Sequence, residues 1–267
     1  MSRIRLYPYN IGSKSARLLG EQLDALGHDA VRVRTNGAYR HRPTHKLVNW
    51  GASAMPRWGT PVALGALLNK LPNVAAATDK LETFRRLSTV PGVVVPDWTT
   101  SMATARTWLT QPKYPGLKNA VVCRTLTRAA EGRGIVLADT PDNVVAAPLY
   151  TRYTPQSKEF RIHASAHHGV IDVQEKRKRA GMELTDANRY IRNHGAGWVF
   201  CHADITLPAG GEDMAQLAVA GLGLDFGAVD MGYHPNHGWC VYEINTAPGI
   251  EGQTVRKYAE FITRVYG

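Results

Sequence analysis

Residues 241–249 place a carboxylate, Glu243, and a carboxamide, Asn245, two positions apart on a short apolar stretch that breaks at Pro248-Gly249. Residues i and i+2 of a strand project to one side. Glu243 and Asn245 therefore face one way, while Tyr242 and Ile244 pack the other. Upstream, Gly227-Ala228-Val229-Asp230-Met231-Gly232 reads as a second strand with one acidic residue among apolar ones. Three oxygen-bearing side chains from two neighbouring strands suit a hard cation, and Mg²⁺ held by few carboxylates alongside substrate phosphates fits them. The same residues would also sit at the polar rim of an ordinary hairpin. A further candidate lies at residues 120–138, where an apolar strand ending in Arg124 is followed by Gly132-Arg133-Gly134 and a second strand. Such glycines can fold backbone N–H groups over phosphates, or simply close a hairpin. No G-K-[ST] accompanies them, so they form no P-loop.

Other chemistries find no frame. His163, His167, His168, His202 and Asp204 lack an H-E-x-x-H or a paired C-x-x-C around them, which argues against zinc. No Ser/His/Asp or Cys/His arrangement for a covalent nucleophile is apparent. The basic run at residues 176–179, with Arg189 and Arg192 beyond it, is either a solvated face or a lining for an anionic partner. Alternation would point Lys176 and Lys178 opposite to Arg177 and Arg179.

These groups need a scaffold. Residues 3–9 read as a strand, 13–26 as a helix capped by Ser13, 30–34 as a strand and 46–51 as another, so the chain opens with a small parallel sheet. No G-x-G-x-x-G follows the first strand. Residues 57–61 read as loop, 80–87 as a helix capped by Thr78 or Asp79, 93–96 as a short strand, and 101–109 as a helix capped by Ser101. A strand at 159–163, its hairpin partner at 169–173 continuing through the basic run, a helix at 212–222 and a closing helix at 254–266 give the second half an antiparallel α+β character. The expected divisions are 1–75, 76–148 and 149–267.

The 267 residues are long enough for interlocked subdomains, and 44% hydrophobic with 20% charged residues is globular rather than disordered. No run approaches the roughly 20 apolar residues of a membrane span. The opening residues show no signal-peptide core, and the three cysteines leave one over from any pairing, so reduced thiols in the cytoplasm are expected. The net charge of +10 favours polyanions: nucleotide phosphates, acidic peptides or nucleic acid.

Taken in order, the helix opening Thr78-Asp79-Lys80-Leu81, the strand ending at Arg124, Gly132-Arg133-Gly134-Ile135, Gly227-Ala228-Val229-Asp230 and Glu243-Ile244-Asn245-Thr246-Ala247-Pro248-Gly249 resemble the ATP-grasp superfamily over about residues 70–255. The pattern resembles that of ribosomal-protein glutamate ligases and of small ATP-grasp proteins encoded by bacteriophages. The resemblance implies an α/β (α+β) ATP-grasp fold, an N-terminal parallel-sheet subdomain followed by two α+β subdomains that clamp ATP. It also implies an ATP-dependent carboxylate–amine ligase working through an acyl phosphate. By that resemblance Lys80 and Arg124 would hold the nucleotide phosphates, Arg124 standing where most of the family has lysine. Gly132, Arg133 and Gly134 would cover the triphosphate. Leu149, Tyr150 and Tyr153 would belong to the adenine-reading hinge, with Arg152 where the family often carries a carboxylate, and Glu159 would meet the ribose. Arg161, Arg177 and Arg192 would approach the γ-phosphate and acyl phosphate, and Asp230, Glu243 and Asn245 would hold two Mg²⁺ ions, with Mn²⁺ able to replace them. The carboxylate and amine substrates, whether small molecule, peptide or protein, would be chosen by residues 49–58, 174–192 and 250–253, and the basic lining favours acidic ones. A nucleotide-binding module without turnover is the alternative that Arg124 raises, and nucleic-acid binding the one that the charge raises.

Overall fold

The computed structural model describes residues 1–129, 132–183, 185, 190, 192 and 195–266. Arg189 lies outside the described residues.

Strands β1 (Arg3–Pro8), β2 (Asp29–Arg32), β3 (His45–Trp50) and β4 (Leu67–Leu68) form a parallel sheet in the order β2-β1-β3-β4. Helix α1 (Lys14–Ala25) connects the first two. Ser13 caps it as expected, its hydroxyl accepting from the Ala16 N–H at 3.3 Å. Two helices that hydrophobic spacing does not announce follow, α2 (Pro61–Gly65) and α3 (Leu71–Thr78). Residues 57–61 are thus not wholly loop: Thr60 caps α2 and Pro61 opens it, where a missing N–H costs nothing. Helix α3 is almost uniformly apolar and shows no amphipathic stripe to read.

Helix α4 (Lys80–Leu87) begins at Asp79, whose carboxylate accepts from the Leu81 and Glu82 N–H groups at 3.1 and 3.3 Å. Beyond it the expected strand at 93–96 is absent. The turn at Pro91-Gly92 and the missing N–H of Pro96 prevent a ladder, and the segment offers the Val94 carbonyl to the Val241 N–H at 2.8 Å. A second, antiparallel sheet has the order β5-β8-β6-β7, from β5 (Trp98–Thr99), β6 (Val121–Arg124), β7 (Ile135–Ala138) and β8 (Leu149–Arg152), with α5 (Met102–Thr110) capped by Ser101.

The third sheet is antiparallel and ordered β11-β10-β9-β12-β13, from β9 (Lys158–Ser165), β10 (Gly169–Lys178), β11 (Trp198–Cys201), β12 (Phe226–His234) and β13 (Gly238–Asn245). Helix α6 (Gly211–Gly221) covers one face, packing Ala215, Ala218 and Val219 against Phe160, Ile162, Val229 and Ile244. Helix α7 (Gln253–Tyr266) crosses to the first sheet.

The cores do not follow contiguous divisions of the chain. Strand β8 pairs with β5 and β6, so the expected break at 148/149 falls just before a strand of the second sheet. Val74, Ala77 and Leu87 lie in the core of the third sheet, and Val255, Tyr258, Ala259, Phe261 and Ile262 complete the core of the first with Ile4, Leu6, Leu19 and Leu23. Trp50 is the joint: fully buried, it stacks on Phe226 of the third sheet and meets Tyr258 of α7 edge-on. Trp50→Ala should therefore cost about 3–5 kcal/mol, read as a lowered urea midpoint and a single coupled loss of structure.

Candidate active site

The face of the third sheet away from α6 carries polar side chains in register. Arg161 on β9 lies opposite Asp230 on β12, which lies opposite Glu243 on β13, and Asn245 stands two residues further on. Arg161 grips Asp230 with two parallel bonds, Nε to Oδ1 at 2.7 Å and Nη2 to Oδ2 at 2.8 Å. The Asn245 amide donates to Asp230 at 3.3 Å and to Glu243 at 3.2 Å. From the other side of the cleft Lys80, the first residue of α4, donates to Glu243 at 2.7 Å. Its backbone is tied there: the Lys80 N–H donates to the Thr127 carbonyl at 2.9 Å, and Asp79 also accepts from the Thr127 hydroxyl and from Arg128. Burial works to raise the Glu243 carboxyl, but Lys80, Arg161 and Asn245 outweigh it and hold it well below the usual carboxylate range. Burial likewise works against the Arg161 cation, yet Asp230 prevails and the guanidinium keeps its proton more firmly than usual. Phe200 of β11 lies against both cations of this face, 4.2 Å from Arg161 and 5.1 Å from Lys176.

A β-bulge alters one expectation. Asp230 pairs with Glu243 but Met231 pairs with Val241, so Tyr242 is the extra residue. Its side chain therefore shares the face of Glu243 instead of pointing away from it. Gly232, on that face opposite Glu159, makes the room: any Cβ there would collide with the Tyr242 hydroxyl and the Gln156 side-chain oxygen. Both of those atoms are buried without a hydrogen-bond partner, and burial pushes the Tyr242 phenol well up.

The second sheet presents Arg124 towards Glu243. Arg124 is half-buried, its Nε is buried without a partner, and its guanidinium lies 6.0 Å from the Phe84 ring. Burial lowers its pKa from the ordinary arginine value, with Glu243 pulling the other way. Gly132, Arg133 and Gly134 form the tip joining β6 to β7. Gly134 has φ +72°, and a Cβ would lie 2.9 Å from the Thr125 hydroxyl, so glycine is required there.

The remaining expected residues are placed as follows. Leu149 and Tyr150 are buried, and Tyr150 belongs to the core of the second sheet, its hydroxyl held by the Ala147 N–H and the Val145 carbonyl. Only its backbone remains for a hinge. Arg152 is likewise structural, donating to the Trp108 and Gln111 carbonyls. Tyr153 anchors through its N–H to Ala120 and meets Tyr190 edge-on. Glu159 is paired with Lys176 and accepts from Gln156; burial pushes its carboxyl up and Lys176 only partly opposes this. Arg192 stacks on Trp198 at 4.6 Å and donates to the Gln156 carbonyl, at the Glu159 end of the face. Arg177 is not brought to the cluster. Lys176, opposite Glu159, takes the polar face, so its neighbour points to the other side, where it donates to Glu175 at 2.7 Å and to the Asp204 carbonyl. The basic run is thus split by the pleat rather than forming one lining. Among the described residues no three His, Cys, Asp or Glu side chains gather around a metal position. The candidate cation site is two carboxylates and a carboxamide.

No family model matches the sequence, and no curated protein matches it either. Solved structures do. The ATP-grasp ligase PsnB in complex with the precursor peptide PsnA2 and AMPPNP superposes with a TM-score of 0.68 at 14% identity, covering 100% of this chain and 97% of that one. A Chryseobacterium gregarium RiPP-associated ATP-grasp ligase, in complex with ADP and a leader and core peptide, gives 0.66 at 14% identity over 99% and 97%. D-alanine–D-alanine ligase from Bacillus anthracis gives 0.64 at 15% identity over 100% and 99%. The chain has the ATP-grasp fold.

Within this ATP-grasp fold, sequence reasoning missed Tyr242, because strict alternation hides a bulge, and missed Lys176, because a charge run disguised a buried pair with Glu159. The one signal for the first was Gly232, a glycine inside an apolar strand. Because the Tyr242 hydroxyl is buried and unpaired, Tyr242→Phe should leave the protein as stable or more so, by up to about 1 kcal/mol, in urea titrations without nucleotide. A marked loss of stability would mean that the hydroxyl has a partner.

Proposed function

We propose that this protein is an ATP-dependent ligase that activates a carboxylate as an acyl phosphate and passes the acyl group to an amine, releasing ADP and phosphate. The carrying observation is that Asp230, Glu243 and Asn245 converge with Lys80, Arg124 and Arg161 from three separate parts of the chain. Two fixed carboxylates facing a set of cations suit a metal-bound polyphosphate, and the buried, unpartnered Nε of Arg124 suits a phosphate oxygen.

Asp230, Glu243 and the Asn245 carboxamide, turned to present its oxygen, would hold Mg²⁺ or Mn²⁺. Bound there, the ion would neutralise charge on the phosphate oxygens. Lys80 and Arg124 would hold the phosphates, Arg161 would meet the transferred phosphoryl group, and the backbone of Gly132 and Gly134 would close over it. The backbone of residues 149–153 would read adenine, with Glu159 and Arg192 at the sugar end. Phosphoryl transfer of this kind needs positioning and charge neutralisation rather than a protein nucleophile.

The similar structures that contain precursor peptides support a peptide substrate. Charge supports an acidic one: residues 1–75 hold eleven Lys and Arg against three Asp and Glu, so most of the net +10 lies on the first subdomain. Among the described residues no helix is long and apolar enough to cross a membrane.

The test is ADP release over a panel of amino acids, acidic peptides and amines, with mass analysis of the product. Glu243→Gln should abolish Mg²⁺- and ATP-dependent ADP release while circular dichroism stays unchanged. Turnover equal to the unaltered protein would remove Glu243 from the metal site. Tight ATP binding with no ADP from any substrate pair would favour a nucleotide-binding module instead.

A further inference from the structure

One step along the same face lies a polar cluster that uses none of these residues. Asp172 on β10 sits opposite His163, two positions before Gln174, which pairs with Arg161. Its side chain is only 1% exposed, yet it accepts three bonds: from the Thr254 hydroxyl at 2.6 Å, from Lys257 at 2.6 Å and from Nε2 of His202 at 2.9 Å. Thr254 and Lys257 lie near the start of α7, and His202 directly follows β11. Burial works to raise the Asp172 carboxyl, but Lys257, Thr254 and His202 outweigh it and hold it below its ordinary value.

An ionised carboxylate only accepts, so His202 must donate from Nε2. In the neutral ring that leaves Nδ1 as an open acceptor. Nδ1 has no protein partner among the described residues, and the His202 side chain is 30% exposed. His163 is the contrast. Both of its nitrogens are engaged, by Tyr258 and by Gln174, and burial pushes it down to about 4. One histidine holds the sheet to α7; the other is presented outward with its tautomer fixed.

His202 is also well placed relative to the phosphate end. It continues from Phe200, whose ring lies against Arg161. Only β10 separates β11 from β9, so two strand spacings, roughly 10 Å, separate His202 from the Arg161 backbone. From Asn245 the chain runs through residues 246–252 straight into α7, so a single short loop joins the carboxylate strand to Thr254.

We propose that His202, oriented by Asp172, is the general base that readies the acceptor amine, an inference that rests on the ligase reading above. Nδ1 takes one proton from the acceptor ammonium. The freed nitrogen lone pair attacks the acyl carbon, the C–N bond forms, and the bond from that carbon to the phosphate oxygen breaks. The electron pair and the second nitrogen proton leave with phosphate as HPO₄²⁻, and His202 returns its proton to water. Asp172 is a positioning residue. The charged or titratable groups around the ring are Asp172 from β10, Lys257 from α7 and His163 from β9.

The experiment compares two acceptors with the panel of amino-acid and peptide carboxylates, ATP and Mg²⁺. Hydroxylamine attacks as an already neutral amine and traps the acyl phosphate as a hydroxamate, whereas ammonium-bearing amines need deprotonation. His202→Gln should lower amide formation about a hundredfold or more while hydroxamate still forms. Amide formation by that variant should recover as rising pH supplies free amine, whereas hydroxamate formation should be the same in the variant and the unaltered protein. ¹⁵N spectra of histidine-labelled protein should show neutral His202 protonated on Nε2, shifting towards Nδ1 in Asp172→Asn. Unchanged amide formation in His202→Gln, or an Nδ1-protonated His202 in the unaltered protein, overturns the assignment. Hydroxamate absent from the unaltered protein with every donor overturns the ligase reading, and this inference with it.

Discussion

The doubly bonded pair of Arg161 and Asp230 is the interaction on which the rest of the site depends. Two charges on adjacent strands, almost wholly removed from water, are tolerable only because their geometry is fork to fork. Losing one partner from such a pair typically costs about 3–5 kcal/mol. That constraint fixes the register of β9 against β12, and the register aligns Glu159 with Gly232 on one side and His163 with Ala228 on the other. Glu243 and Asn245 then complete a row of charge and polarity that Lys80 closes from across the cleft.

Two carboxylates lie side by side in this row, and a cation flanks each: Lys80 meets Glu243 and Arg161 meets Asp230, while the neutral Asn245 amide donates to both carboxylates. That arrangement keeps Glu243 ionised despite partial burial. The arrangement is therefore a charged network already satisfied within the protein, apart from Arg124, whose Nε remains unpaired. An incoming polyanion with its cations would exchange partners with this network rather than create one.

Much of this was legible in sequence where local chemistry decides structure. Ser13, Asp79 and Ser101 each cap the helix expected of them. Illegible features were those set by partners distant in the chain. The bulge at Tyr242 is a mismatch between two strands, and Arg177 is turned away because Lys176 answers to Glu159. The assignment of β8 to the second sheet rests on pairing with β5 and β6 rather than on its own residues. Helix α3 escaped notice because its apolar surroundings erase the stripe that would reveal it.

The docking of α7 against the first sheet has a consequence for the order in which the protein is made. Ile4, Leu6, Leu19 and Leu23 leave the ribosome more than two hundred residues before Val255, Tyr258, Phe261 and Ile262, which finish their core. Domains generally fold as units during synthesis, N-terminal first. Here the first strand–helix–strand unit stays open on one side until those later residues arrive, with its apolar surface uncovered in the meantime. Closure of that core waits for α7.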